Sequence, residues 1–394
     1  MKVLIFEYAT VMGLEDPEFL FEGRAMLEGL LDDFNKIEHS IKHSIGLSRT
    51  FEVSYLIAEK LLKNEYLQKW DACDPLTVNF NPKNCSDLEN WLESNISNFE
   101  ACIFVAAEED MELYKLTKII ENNGVTVLGS TSDAVLKCSD KLETYEHLKK
   151  IQNQINKNYK NTNININLIN TYKIDLDEFR NELKEKNHLK SSNKILYKLS
   201  DKFSNLFYNN KKMIIKPADG VACQGIKVLN SIEELYESLK SMETSLPHVL
   251  LQDFVEGQAC SVSLLSNGIN AVPISLNLQK IEFDDGELEY SGGKVPWDHP
   301  LKYEALGIAK NIVESIDGLK GYVGVDLILS DKIYFIEINS RLTTPYVALR
   351  NLMDINLGLA IADSARGNLP SDLNLSGCSE FQKGAEKLDI IIKN

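Results

Sequence analysis

The sequence predicts an α/β protein of more than one lobe, and three observations carry that expectation. Its 394 residues exceed what one compact core comfortably holds. Residues 1–135 alternate short apolar strands with helical stretches, the pattern of a parallel sheet flanked by helices. Beyond residue 213 the pattern changes to apolar strands joined by short polar turns, which reads as antiparallel pairing.

The first strand is Val3–Phe6, within an opening too short in apolar residues for a secretory leader. Phe19, Leu20, Met26, Leu27, Leu30 and Leu31 recur at helical spacing, so a helix is expected over Phe19–Phe34. Ala101–Ala106 reads as a buried strand, followed by Glu108, Glu109 and Asp110. These acids are expected to cap the next helix and complement its dipole. That helix runs through Ile120 and stops at Asn122, Asn123 and Gly124, and Val125–Leu128 is a further strand. Residues 151–212 are rich in Asn, Lys and Ile and read as a helical or poorly ordered insertion. Within it, the alternation of Ile164, Ile166 and Leu168 allows a short strand. Residues 152–205 are expected to be dispensable for chemistry.

Composition narrows the function. The apolar share is 44%, and no run of about 18 apolar residues exists to suggest a membrane span. Acidic residues outnumber basic ones 58 to 42, a formal charge of −16, which argues against nucleic acid as a partner. The seven cysteines include no Cys-x-x-Cys pair, so neither a zinc site nor a disulfide framework is indicated, and a cytoplasmic setting is expected. His39 and His43 stand one helical turn apart without a third ligand nearby and read as a surface face.

The chemistry begins at Met213–Ile215, a strand leading into Lys216. The segment KPADGVACQGIKVL then turns back, with Gly220 and Gly225 flanking a small-residue loop. Such a loop lets backbone N–H groups approach phosphate oxygens while the lysine supplies charge, although a tight turn is the plain alternative. Val249–Leu251 is an apolar strand entering the connector Gln252–Gly257, where an adenine could bond the backbone of Phe254 and Val255, or where the chain could simply make a hairpin. Cys223 and Cys260 read as small packing residues.

The strongest local signal is GYVGVDLILSDKIYFIEINSR. Two apolar runs, 322–329 and 333–338, enclose the turn Ser330-Asp331-Lys332. The period of two places Glu337 and Asn339 on one face, and a turn of two or four residues brings Asp326 to that face. Ionised groups in such apolar strands are costly unless paired or bound to metal, and this oxygen set suits Mg²⁺ or Mn²⁺.

Taken in order, SDKLETYEHL around Lys141, KPADGVACQG, LQDFVEG, GVDLIL and FIEINSR resemble the ATP-grasp superfamily of carboxylate–amine ligases. The resemblance covers roughly residues 100–345 apart from the insertion. It implies an ATP-grasp fold behind an N-terminal α/β (pre-ATP-grasp) domain: 1–135, then a lid lobe of α+β type over 136–257, then a C-terminal lobe over 258–394 carrying the metal site. ATP would lie between the lobes, with Lys141, Lys216, Gly220 and Gly225 on its phosphates and Gln252, Phe254, Val255 and Glu256 around its base and ribose. Asp326, Glu337 and Asn339 would hold two divalent ions, with Arg341 and Lys216 as the catalytic cations. A kinase on the same fold and a non-catalytic nucleotide-binding protein are the other expectations it leaves. Gln252 and Ala259 depart from acids frequent in the family, which puts the ribose contact in doubt. LIFEYA, EGRAM at 22–26, LGSTSDAVLKCSDK at 128–141 and YSGGKVPWDHP at 290–300 add a narrower resemblance to ligases that join L-glutamate to tyramine in methanofuran biosynthesis. That implies small-molecule carboxylate and amine partners, with a homo-oligomer open, and substrate-pocket candidates Glu22, Arg24, Tyr290–Lys294 and Trp297.

Overall fold

The structure is a computed structural model that describes residues 1–14, 17–43, 51–158, 166–184, 188–220, 223–242, 247–284, 287–384 and 387–393. Ile164 and Ala222 lie outside these residues, and nothing is described of the side chains of Phe19, His39 and His43. The N-terminal domain is a parallel sheet of β1 (Lys2–Glu7), β2 (Glu52–Ala58), β3 (Cys73–Val78), β4 (Ala101–Val105) and β5 (Thr126–Val127), in the order β3-β2-β1-β4-β5. All of its described pairings are parallel. The strand β1 is buried from Val3 to Glu7 because helices cover both faces. Around this sheet run α1 (Tyr8–Met12), α2 (Pro17–His43), α3 (Asn64–Lys69), α4 (Ser86–Asn95), α5 (Glu112–Asn122) and α6 (Ser132–Ser139).

From residue 141 onward the chain builds one large, mostly antiparallel sheet. Its elements are α7 (Lys141–Asn158), β6 (Asn167–Leu168), β7 (Thr171–Asp175), α8 (Leu176–Lys184), α9 (His188–Phe203), β8 (Met213–Pro217), β9 (Lys227–Leu229), α10 (Ile232–Ser241) and β10 (His248–Asp253). They continue with β11 (Gln258–Asn267), β12 (Ala271–Asp284), β13 (Glu287–Val295), α11 (Lys302–Glu314), β14 (Lys320–Leu329) and β15 (Ile333–Asn339). The chain closes with α12 (Pro345–Leu349), α13 (Leu357–Ala365), β16 (Cys378–Lys383) and β17 (Leu388–Lys393). The strand order β6-β15-β14-β11-β12-β13-β9-β8-β10-β7 wraps the small lid strands β7–β10 over the C-terminal strands β11–β15, and the face between them is a cleft. Among the described residues no helix is long and apolar enough to cross a membrane.

Packing cuts across the expected divisions in three places. The helix α7, expected in the lid, packs on the C-terminal core: Leu148 lies with Ile312 and Phe335, and His147 Nε2 is 3.0 Å from the Ser315 carbonyl oxygen. The helices α12 and α13 pack against the N-terminal domain, where Tyr346 and Leu357 join a cluster with Ile5, Leu30 and Phe34. Asp33 of α2 ties this contact, accepting from Arg350 Nη2 at 2.6 Å, Tyr346 Oη at 2.7 Å and the Gly358 amide at 3.1 Å.

In residues 151–212 the helical alternative holds, with α8 and α9, but these helices are packed into the lid rather than inserted outside it. Polar composition hid the amphipathic spacing of Phe179, Ile195, Leu199 and Phe203, which form the lid's core with Met213, Ile215, Leu235 and Val249. The strand β7 pairs with β10 along its length. Phe179→Ala should therefore cost the lid about 3–5 kcal/mol, the usual range for truncating a buried aromatic. Hydrogen exchange of the β7 and β10 amides reads this directly, with Tyr197→Ala, at a side chain 74% exposed, as the near-silent control.

Candidate ligand-binding cleft

The cleft of about 400 Å³ is lined by Lys141, Lys216, Gly220, Gln252, Phe254, Val255, Asp326, Glu337, Asn339 and Arg341, so the structure brings these expected residues together. At its floor, Asp326 of β14 lies directly opposite Glu337 of β15. The turn between these strands holds three residues, since Leu329 pairs with Ile333, not the two or four the sequence suggested. Three residues alone would put Asp326 out of register with Glu337. A β-bulge at Ile336 inserts one extra residue and restores the alignment. Asn339 then donates from Nδ2 to Asp326 Oδ2 at 3.1 Å, leaving its own amide oxygen available, and Gln279 Nε2 donates to Asp326 Oδ1 at 3.3 Å.

Two lysines answer the paired carboxylates. Lys141 Nζ stands 3.3 Å from Glu337 Oε2 and donates to the Gly220 carbonyl oxygen, which ties the start of α7 to the loop after β8. Lys216 is buried on β8. Burial pushes its ammonium down to about 8, with Glu337 pulling in the other direction. Burial and the neighbouring Glu337 push Asp326 up to about 8. Burial also works to raise Glu337, but Lys141 and Lys216 outweigh it and hold that carboxyl below its ordinary range. One carboxylate is thus neutralised by lysines while the other is left short of positive charge.

Arg341 follows the hairpin and reaches the N-terminal domain. Its Nε donates to Glu108 Oε2 at 2.7 Å, both side chains being nearly buried. Burial alone would lower its affinity for the proton, yet Glu108, Glu337 and Glu22 hold the guanidinium above its ordinary range. Glu108 stands at the cap position of the 3₁₀ turn Glu109–Met111 that leads into α5, but its side chain makes no capping hydrogen bond and is spent on Arg341 instead. The cap position of α5 is Met111, with no side-chain hydrogen bond, and Asp110 and Met111 both have positive φ, 54° and 60°. No sequence signal distinguishes Glu108 from its acidic neighbours, because its partner lies 233 residues away.

Other expected residues fall elsewhere. Gly225 packs against Pro217 and Glu256 is exposed within the hinge 252–257, and neither lines the cleft. The Phe254 N–H is taken by the Lys212 carbonyl at 3.2 Å, so of the two hinge amides only that of Val255 lacks a partner among the described residues. Arg24 pairs with Glu28 at 2.9 Å under Tyr66, and Trp297 packs on the C-terminal core beside His299. Gly292 and Gly293 are not a loop. They lie in β13 between β12 and β16, where a Cβ would stand 2.3 Å from the Phe381 carbonyl oxygen and 2.5 Å from that of Leu278. Lys294 shares that pairing, opposite Leu278 and Glu380.

Glu22 and Tyr290 do line the cleft. Glu22 Oε2 accepts from Thr344 Oγ1 at 2.6 Å, while its buried Oε1 makes no hydrogen bond and has Lys383 Nζ at 3.4 Å. The sequence reading missed several lining residues: Ile169, Gln224, Gln279 and Thr343. Ile169 comes from the segment that reads as an insertion. Gln279 and Thr343 sit in strand and loop contexts with no motif of their own.

Residues 182–345 match the family described as the ATP-grasp domain. The chain is 29% identical to the tyramine–L-glutamate ligase of Methanocaldococcus fervens over 88% of its own length and 89% of that protein. It is 28% identical to the enzyme of the same name from Methanocaldococcus jannaschii, over 88% of this chain and 84% of that one. Among solved structures, an ATP-grasp superfamily protein from Archaeoglobus fulgidus superposes with a TM-score of 0.62 at 24% identity, covering 100% of both chains. The L-amino acid ligase of Bacillus licheniformis superposes with a TM-score of 0.63 at 12% identity, over 97% of this chain and 79% of that one, a likeness of fold. With its lobes, cleft and converging lysines and carboxylates accounted for, the chain has the ATP-grasp fold, carries the ATP-grasp domain over residues 182–345, and is similar along most of its length to carboxylate–amine ligases.

Proposed function

We propose that this protein joins the γ-carboxylate of L-glutamate to the amine of tyramine, converting ATP to ADP and phosphate. The observation that carries the ligase chemistry is the convergence of Lys141, Lys216, Asp326 and Glu337 in one cleft. The substrate pair is supported by the relatives named tyramine–L-glutamate ligase. It is also supported by Glu22, whose Oε1 faces Lys383 at 3.4 Å but accepts no hydrogen bond and can take one from an ammonium group, and by the ring of Tyr290 in the same cleft lining.

The residues fit a divalent cation. Asp326 and Glu337 face each other, and Asp326 lacks the positive charge its burial calls for. Among the described residues no third acid, His or Cys joins them, so Asn339 and phosphate oxygens would complete the shell, as hard cations bound with nucleotides allow. Mg²⁺ or Mn²⁺, as one ion or two, would neutralise charge on the phosphates. Lys141 and Lys216 bind the phosphate oxygens, and an arriving phosphate restores to Lys216 the charge partner its burial demands. Val255 and Gln252 hold the base. The substrate carboxylate attacks the γ-phosphorus, the bond to ADP breaks, and an acyl phosphate forms. The amine then attacks the acyl carbon and phosphate leaves. Arg341, fixed by Glu108, stabilises the oxygens on which charge gathers, the main service a protein gives to such transfers.

Glu337→Gln should abolish turnover while the fold survives, read by phosphate release beside circular dichroism; near-normal turnover would remove the metal assignment. Glu108→Gln frees Arg341 to move and should lower kcat by one to two orders of magnitude, roughly the effect of misplacing a catalytic group by an ångström. Its KM for ATP should change little, and steady-state kinetics separates the two. The substrates are checked by mass spectrometry of the product from glutamate, tyramine, ATP and Mg²⁺, with aspartate and phenethylamine as controls. A site that bonds the phenol hydroxyl rejects the analogue lacking it. An amide from a different pair alone would overturn the substrates and leave the ligase chemistry standing.

A further inference from the structure

Gln252 of β10 lies directly opposite Thr171 of β7. Its Nε2 donates to Thr171 Oγ1 at 2.7 Å, and that hydroxyl in turn donates to the Ile169 carbonyl oxygen at 2.9 Å. A hydroxyl has one proton to give. Because Ile169 receives it, Thr171 Oγ1 can only accept, and the Gln252 amide must turn its NH₂ group toward it. The two ends of an amide look alike in outline, but this network fixes which is which. Gln252 lines the cleft at the hinge, and among the described residues nothing donates to its Oε1. The side chain therefore carries a bare acceptor on the cleft lining, three residues before Val255, which lines the same cleft and whose N–H, a donor, has no partner among the described residues. An acceptor and a donor in sequence match a 6-aminopurine edge, whose exocyclic amine donates and whose N1 accepts. A 6-oxopurine reverses both roles.

We infer that Thr171 is a positioning residue that locks Gln252 as an acceptor and so makes the cleft select a 6-aminopurine nucleotide over a 6-oxopurine one. This rests on the reading of the cleft as a nucleotide site. Without the threonine hydroxyl, the amide is free to rotate and present its NH₂ group to a 6-oxo base.

The test is isothermal titration of the full chain with ATP and with inosine triphosphate, each with Mg²⁺. The wild type is expected to favour ATP. Thr171→Val should lower the ATP-to-inosine-triphosphate affinity ratio roughly tenfold, the order of one exchanged hydrogen bond. Thr171→Ala repeats the loss with a smaller side chain should valine disturb the strand, and Thr171→Ser, which keeps the hydroxyl, should keep the ratio. A purely structural role for Thr171 would weaken both nucleotides together and leave the ratio unchanged, which overturns the inference. So does a wild type that binds ATP without preference. A wild type that binds neither nucleotide overturns the nucleotide site itself, and is told apart from the other failures by that absence.

Discussion

Two carboxylates held face to face in an apolar hairpin are the constraint around which this cleft is organised. Asp326 and Glu337 sit across a strand pair whose other residues are largely Val, Ile and Leu. Unpaired like charges in such surroundings would cost several kcal/mol each. The chain answers with Lys141 from the start of α7 and Lys216 from β8, two segments far apart in sequence. The compensation is incomplete, as Asp326 shows by holding its proton toward about 8. A site poised in this way gains more from an arriving cation and polyphosphate than a fully neutralised one would.

The same constraint explains why the lobes meet where they do. Lys141 bonds both Glu337 and the carbonyl of Gly220, so it links the C-terminal floor to the loop of the lid. Arg341 leaves the hairpin and is caught by Glu108 of the N-terminal domain. Glu22 of α2 reaches Thr344 just beyond it. Each lobe thus contributes side chains to one cleft, and none of them could form it alone. The packing of α12 and α13 on the N-terminal sheet, held by Asp33 and Arg350, fixes the two bodies whose side chains must converge to within ångströms.

The lid shows how composition misleads. Asn and Lys dominate residues 151–212, yet a helix needs only one apolar stripe to pack, and α8 and α9 have it in Phe179, Ile195, Leu199 and Phe203. With those helices in place, β7 becomes an edge strand over the hinge, and Ile169 and Thr171 come beside Gln252.

Much was legible from residues alone: the parallel N-terminal sheet, the hairpin 322–338, the lysine on its strand, and Glu337 and Asn339 at period two. Those features depend on local periodicity and on the cost of burying charge, both of which one segment records by itself. The register of the hairpin was not so recorded. A three-residue turn would have separated Asp326 from Glu337, and only the bulge at Ile336, a matter of backbone packing against neighbouring strands, set it right. Nor could spacing reveal that Glu108 pairs with Arg341, or that Gly292 and Gly293 are small because Phe381 lies against them. Sequence decided which segments form strands and helices and which carry chemistry, because these follow from neighbours along the chain. Tertiary structure decided which of those groups meet, because contacts over hundreds of residues leave no local trace in either partner.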